Sequence, residues 1–416
     1  MSQPSSAGRT ALVIGCGIAG PVLAMFLRRA GVDPVVYEAQ ESPSDCAGSF
    51  LMVTPNGLNV LRTLGVLDEL VPHGLPCGGI AMWSSRGRRL GQVRHDLAGH
   101  DSHNGTGGSD HAGVGSLMIK RGLLHKVLRE EAVRRGVPVE FGRRLADVDP
   151  VGDRRVVARF EDGSVAQADC LIGCDGVYSR TRRIIDPQAP GASYIGRVNA
   201  GGFLSAPGLA PTPNLLNLTL GHKAFFGHLI RPSGEVYWFS DIGYPGQPTR
   251  RELDAVDRDV WKRRLAELHR DDPAPIPDII AGLTGEFGVY PLYDVPALPT
   301  WHRGPITLIG DAAHATSPYG GQGASMAMES AIVLAKCLRD VPDPARAFAV
   351  YQRLRKARAE KLVRLARRNG RHNKITSPLA VNVRDMVMPI VLKATANARS
   401  RSWVYSYTVD WDTKVA

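Results

Sequence analysis

Three clusters of residues in this sequence have the types and spacing to handle a phosphate-bearing group. The first is Gly15-Cys16-Gly17-Ile18-Ala19-Gly20. Glycines at its first, third and sixth places permit a tight turn, close backbone approach to a pyrophosphate, and close packing of the next helix on the preceding strand. Further along stands Glu38, a carboxylate able to accept hydrogen bonds from ribose hydroxyls. The second cluster runs from Asp169 through Gly173-Cys174-Asp175-Gly176 to Arg182. The third is Gly310-Asp311-Ala312-Ala313-His314, followed by Pro318-Tyr319-Gly320-Gly321-Gln322-Gly323-Ala324. Asp311 is placed to bond sugar hydroxyls, and amides around Gly321–Ala324, at the start of a helix, can stabilise negative charge on a bound ring.

Each cluster needs a strand before it and a helix after it. Ala11–Ile14 is an apolar run that reads as a short buried strand. Pro21 to Ala30 reads as a helix with Val22, Leu23, Phe26 and Leu27 turned inward. Pro21 is tolerated in the first turn, where its missing N–H has no helical partner. Gly31 reads as the stop, and Val35-Val36-Tyr37 as a second strand ending at Glu38. Leu171-Ile172 and Pro305–Ile309 read as strands ending at Gly173 and Gly310-Asp311, and Ala324–Arg339 as a helix. A lone glycine fingerprint is weak. Strand, turn, helix and strand with a terminal acid is a specific dinucleotide signal, though it does not choose between NAD and FAD.

The three motifs together do choose. In order and spacing they resemble the glycine, DG and GD motifs of the class A flavoprotein monooxygenases, with the para-hydroxybenzoate hydroxylase fold. Look-alikes of similar size are salicylate-hydroxylase-like, urate-hydroxylase-like and tetracycline-inactivating enzymes. The resemblance covers roughly Thr10 to Gly370. It implies noncovalent FAD, with Gly15, Gly17 and Gly20 at the pyrophosphate, Ile18 and Ala19 between them, Glu38 at the adenosine ribose and Ala39 beside it. It places Gly48 and Arg121 near the cofactor and Leu145 where a strand borders the adenine. Asp175 is then the DG acid, linked to cofactor and nicotinamide binding. Asp311 serves the ribityl or pyrophosphate region, and Pro318, Gly321, Gly323 and Ala324 border the flavin ring. The implied reaction uses NAD(P)H and O2 and passes through a flavin C4a-hydroperoxide. Its distal oxygen goes to an electron-rich aromatic or polyketide-like small molecule. There is no second glycine fingerprint for nicotinamide, as expected where NAD(P)H docks transiently.

Two positions depart from the family. Ser330 stands where an acid is frequent, and Gly201 stands near the place of an arginine in many salicylate- and urate-hydroxylase relatives. The second departure argues against copying their substrate chemistry, and the nearby Arg197 reads as a different feature.

The expected fold is α/β. A Rossmann-like FAD-binding domain is built discontinuously from 9–75, 117–182 and 301–342. An interleaved, mostly antiparallel substrate sheet comes from 76–116 and 183–300, with a helical segment over 343–416. Leu215–Leu220, Ala224–Arg231 and Glu235–Ile242 read as successive strands, Asp257–Arg270 as a helix, and Pro344 to Gly370 as a long one. Phe226, His228 and Tyr237 are candidate substrate-pocket residues on those strands, and His228 a candidate base toward a phenol. No catalytic residue is identified beyond these. Ala98–Ser116 is rich in glycine. Its His100, Asp101, His103, Asp110 and His111 match no trusted ligand set, so a loop or lid is expected and no metal.

The totals narrow the class. The chain has 416 residues, 44% hydrophobic and 22% charged, which suits a globular protein with more than one core. The formal net charge of +11 suits an anionic cofactor or substrate, and no nucleic-acid module accompanies it. The arginines of Tyr351–Lys374 read as a solvated helix face, with nicotinamide-phosphate docking the alternative. Six scattered cysteines without a CxxC pair suit a reducing, cytoplasmic setting, and no apolar run reaches membrane-spanning length. Two alternatives stay open: an FAD-dependent dehydrogenase, reductase or halogenase on this fold, and a non-catalytic FAD-fold binding protein. None of the six tryptophans forms the WxWxIP signature of halogenases. Substrate identity, NADH against NADPH, and oligomeric state are not legible.

Overall fold

A computed structural model describes residues 8–43, 45, 49–95, 115–151, 155–212, 214–284, 287–370, 377–395 and 398–415. Gly48 and most of the Ala98–Ser116 stretch, with all five of its candidate ligands, lie outside these residues.

The apolar runs near the motifs form one six-stranded sheet. Its order is His302–Arg303, Ile306–Leu308, Cys170–Gly173, Arg9–Ile14, Val32–Tyr37 and Val139–Glu140. Every pairing is parallel except the short His302–Arg303 edge. Strands covered on both faces read as continuous apolar runs, as Ala11–Ile14 does. The Ala19–Arg29 helix covers one side and buries every residue from Ala19 to Leu27. It packs against the Gly323–Asp340 helix, which is also buried along most of its length. The carboxyl ends of three adjacent strands thus deliver Gly15, Cys174-Asp175 and Gly310-Asp311 to one edge. That edge is the usual place for a ligand crevice in parallel sheets.

The second large sheet has seven strands. Its order is Gly288–Asp294, Ser193–Ser205, Glu235–Gly243, Phe225–Ile230, Leu215–Leu220, Gly79–Ser84 and Arg89–Arg94. Pairings are antiparallel except between Leu215–Leu220 and Gly79–Ser84. Side chains alternate between its faces. One face packs Phe226, Trp238, Val236 and Ile242 against Trp261, Leu265 and Ile279 of the short helices Arg258–Leu268 and Ile276–Ala281. The other turns Tyr237, Leu229 and Leu216 toward Phe50 and Met52. These last two belong to a three-stranded sheet of Phe50–Val53, Ser116–Lys120 and Leu75–Cys77.

The Pro344–Gly370 helix, about 40 Å long at 1.5 Å per residue, packs along the Gly323–Asp340 helix. Arg353, Arg364 and Arg368 face solvent on it, but Arg355 is fully buried, so the solvated basic face is only part of the account. The Pro378–Thr395 helix then packs on the Arg89–Arg94 edge strand. The chain finally returns to the first helix, where Trp411 stacks on Phe26 at 5.3 Å. Among the described residues, no helix is long and apolar enough to cross a membrane.

Candidate functional site

The glycine motif is fixed by steric necessity. Gly15 has φ +108°, and a Cβ there would stand 2.5 Å from the Cys174 carbonyl oxygen. A Cβ on Gly20 would stand 2.0 Å from the Gly15 carbonyl oxygen. Around Gly17, by contrast, a Cβ would meet nothing within 4 Å, so this backbone faces open space. Half-buried Ile18 and buried Ala19 lead into the first helix, which has no side-chain cap and no acid in its first turn. Its leading N–H groups are free for an anion. The Glu38 carboxylate accepts from the Cys16 amide at 2.7 Å and the Gln40 amide at 3.0 Å. It thereby ties the loop to the second strand's end, with half-buried Ala39 between its two anchors. Burial, and then the Glu38 charge, push the Cys16 thiol up to about 12, so it stays neutral.

The other two motifs meet this loop. Gly310 has φ +60°, and a Cβ there would stand 3.2 Å from that of Ala19. Asp311 follows at once. Its carboxylate is set deep among protein atoms and yet presents accessible surface, as an acid lining an internal cleft must. Burial raises its pKa above the usual carboxylate range, and the positive charge of Arg121 opposes the rise. Arg121 opens the helix after Lys120, and its amide donates to the Ser49 carbonyl at 3.0 Å. Asp175 is occupied locally: it accepts from the Ser179 hydroxyl at 2.6 Å and from the amide and hydroxyl of Thr181, each at 2.9 Å. It shapes the DG turn through the start of the Arg180–Ile185 helix. Leu145 is buried on the strand Leu145–Val151, paired with Phe160, whose ring lies 4.8 Å from Tyr37 beside Glu38.

The third motif loops through a short turn, Pro318–Gly320, to Gly321 at φ +58°. The Gly323–Asp340 helix begins there, again with no side-chain cap and no acid in its first turn. Pro318 is exposed, and Gly321, Gly323 and Ala324 are half-buried along the same opening. The loop is held from behind. Gln322 donates to the Thr54 hydroxyl at 3.0 Å and accepts from Asn56 at 3.0 Å. Asn56 also donates to Glu329 at 2.6 Å. Glu329, wholly buried, is paired with Arg355 and Arg358, each at 2.8 Å. Ser330, next to it, shares a 2.9 Å hydrogen bond with His314.

These features fit FAD. Two helix N-termini present amides, Gly17 leaves room for backbone approach, and an acid follows each of two strands, Glu38 after Val32–Tyr37 and the accessible Asp311 after Ile306–Leu308. A long group bearing phosphates and sugar hydroxyls is what such a cradle accommodates.

The substrate side differs from expectation at two of three positions. Phe226 and His228 sit on the helix-packed face of the large sheet, not on the face toward the motifs. Phe226 stacks on Trp238 at 6.0 Å, and His228, two residues on, shares its face. Burial lowers the His228 pKa to about 4. Tyr237 does face the motifs, packed edge-on against Phe203 at 4.8 Å and Phe50 at 5.4 Å. Phe50, Met52, Phe203 and Phe239 were missed, although Met52 would lie 3.1 Å from a Cβ on Gly321. Arg197 is a different feature, as its position suggested: it donates to the Asp241 carboxylate at 2.6 Å and is buried there.

The model of the family described as "FAD binding domain" matches residues 9–366. A 6-hydroxynicotinate 3-monooxygenase of Pseudomonas fluorescens is 30% identical over 86% of this chain and 90% of its own. A 2-heptyl-3-hydroxy-4(1H)-quinolone synthase of Pseudomonas aeruginosa is 29% identical over 93% of this chain and 95% of its own. Among solved structures, Klebsiella pneumoniae HpxO complexed with FAD and uric acid superposes with a TM-score of 0.80 at 26% identity, covering 95% of this chain and 97% of that one.

Proposed function

This chain belongs to the FAD-binding-domain family, and within it to the class A flavoprotein monooxygenases; from that premise we propose that it transfers one atom of O2 to an aromatic small molecule at the expense of NAD(P)H. One observation carries the reading. Gly15 packs on Cys174, Gly310 packs on Ala19, and Gly321 lies against Met52, so the three cofactor motifs open together onto the apolar face of a separate sheet.

Bound in that cleft, FAD supplies the capacity to accept hydride from NAD(P)H and to activate O2. The protein's own residues hold, orient and exclude. The Ala19–Arg29 helix and the amide of Gly17 receive pyrophosphate, and Glu38 and Asp311 receive sugar hydroxyls. The amides that open the Gly323–Asp340 helix would stabilise negative charge on a ring bound beside them. The aromatic and aliphatic side chains opposite keep water from the reacting atoms. We propose the domain division 9–75, 117–182 and 301–342 for the cofactor, 76–116 and 183–300 for the substrate, and 343–416 as a helical segment. A reductant made inside cells, together with free cysteines such as Cys77 and Cys170, supports a cytoplasmic setting. The substrate class is aromatic or polyketide-like.

The test is isotopic. With labelled O2, product should carry one labelled atom, and labelled water should contribute none. Turnover that proceeds equally well without O2, with another electron acceptor and unlabelled product, makes the protein a dehydrogenase and sinks the reading.

A further inference from the structure

Phe239 occupies an unusual place in the seven-stranded sheet. Its cross-strand neighbours are glycines on both sides, Gly201 and Gly227. A Cβ on Gly227 would stand 2.2 Å from the Phe239 ring, and one on Gly201 3.1 Å from the Phe239 Cβ. The ring therefore lies down across the sheet where side chains would otherwise stand. The same transverse row continues from Gly227 to Leu218, then Met82, then Gly91. Phe239, Leu218 and Met82 are each half-accessible, although each strand is flanked by strands on both sides. Such residues line a cleft. Four interstrand steps from Gly201 to Met82 give it a length of about 19 Å.

One wall is the next row, Phe203, Tyr237, Leu229, Leu216 and Ile80. The far end is closed by Leu392 of the Pro378–Thr395 helix, whose Cδ1 would be 2.9 Å from a Cβ on Gly91. The floor and this wall carry no charge. Of the ionic groups at the margins, Arg197 is held by Asp241 and Lys120 by Glu235 at 2.8 Å.

Resting on the monooxygenase reading and deepening it, we infer that the groove selects a neutral planar aromatic bearing an apolar extension. The ring lies on Phe239 near Gly321, and the extension runs over Leu218 and Met82 toward Leu392. A flat ring matches a flat aromatic floor, where offset stacking is favoured. A carboxylate there would lose its water, and the two described cations at the margins, Arg197 and Lys120, already have acid partners. An alkyl extension would exchange water for Leu218 and Met82, at up to about fourfold in affinity per buried methylene.

The experiment titrates the FAD-loaded full-length protein with 2-naphthol, 6-butyl-2-naphthol and 3-hydroxy-2-naphthoate, reading the flavin absorbance change. Butylnaphthol should bind at least about 20-fold tighter than naphthol, and the naphthoate at least about tenfold weaker. Leu218→Gln and, separately, Met82→Gln should erase most of the butyl gain while leaving naphthol within threefold. Phe239→Ala should weaken naphthol itself. Either Gln variant suffices if the other fails to fold. Equal binding of naphthol and naphthoate, no butyl gain, a gain that survives both Gln variants, or no binding of any probe overturns the inference. Binding selectivity without oxygen transfer would instead sink only the monooxygenase reading, and oxygen transfer without the selectivity only this one.

Discussion

Replacing Glu38 tests the cofactor cradle at its most exposed assumption. The carboxylate already anchors two backbone amides, Cys16 at 2.7 Å and Gln40 at 3.0 Å. Each of its oxygens keeps further acceptor capacity for a ribose hydroxyl. Removing hydrogen bonds to a charged group costs about 1.5–3 kcal/mol. At 1.4 kcal/mol per factor of ten, Glu38→Ala should weaken FAD by about one to two decades. Glu38→Gln should rescue little. Whichever way the amide is turned, its NH2 group confronts one of the two backbone N–H donors. Removing the exposed neighbour Glu41 should change nothing, which controls for general charge. The assay is titration of apoprotein with FAD, following flavin fluorescence, with circular dichroism to show that each variant is folded. A Glu38→Ala protein that is folded and binds FAD within twofold of the unaltered chain refutes the ribose assignment. Full rescue by Gln would show that charge at this position is unimportant.

Two further outcomes concern stability. Glu329→Ala leaves the buried Arg355 without its acid, and breaking a buried pair from one side costs about 3–5 kcal/mol; the urea midpoint should fall, and an unchanged midpoint would remove Glu329 from the core network. Acid should also destabilise the fold. Burial lowers His95, His125 and His228 to about 4 and His314 to about 3, so between these values and the ordinary 6.5 the unfolded chain binds more protons than the folded one. Their stabilisation is complete above 6.5 and is lost as pH falls from there through 4, each histidine contributing a slope of up to about 1.4 kcal/mol per pH unit. Urea midpoints at pH 7.5, 6, 5 and 4.5 check this, and a flat profile would mean the histidines are hydrated.

The cofactor motifs were legible because their chemistry is local. Gly15 needs φ +108° and Gly310 φ +60°, and Glu38 reaches the amide of Cys16, within the same strand–helix–strand unit, and that of Gln40, two residues on. Strand ends were legible for the same reason: Leu215–Leu220 and the Pro344–Gly370 helix have the expected limits. The pocket was not, because a strand's two faces differ by a single residue in register. Phe225–Ile230 is apolar on both faces except at His228, so alternation gives no sign of which face meets the motifs. The glycines at 201 and 227 held the missing signal, since bare positions in a strand often mark close approach. Glu329 held another. A lone acid in the helical run Met326–Leu338, whose only other polar residues are Ser330 and, near its end, Lys336, must be buried and must find a cation. Its partners Asn56, Arg355 and Arg358 come from distant segments, so nothing local could name them.

That long-range network bears on what an intact motif guarantees. Gln322 stands directly before the helix whose free amides face the cleft, and Asn56 holds it. Asn56 in turn depends on Glu329, and Glu329 on Arg358. Arg358, on the Pro344–Gly370 helix, reaches the helix Ala398–Tyr405, donating to the carbonyls of Trp403 and, at 3.0 Å, Val404. Its guanidinium also lies 4.0 Å from the Tyr407 ring, and Lys361 lies 4.0 Å from that of Trp403. The geometry of Gly321–Ala324 is therefore set partly by residues 403–407, which no cofactor motif contains. At the other end Gly15 stands against Cys174 and Gly20 against Gly15, Glu38 ties the loop through the Cys16 amide, and Trp411 reaches the helix that follows at Phe26. The C-terminal segment therefore touches both the Ala19–Arg29 helix and the network behind the Gly323–Asp340 helix, so an intact glycine motif does not by itself set the geometry of the cleft.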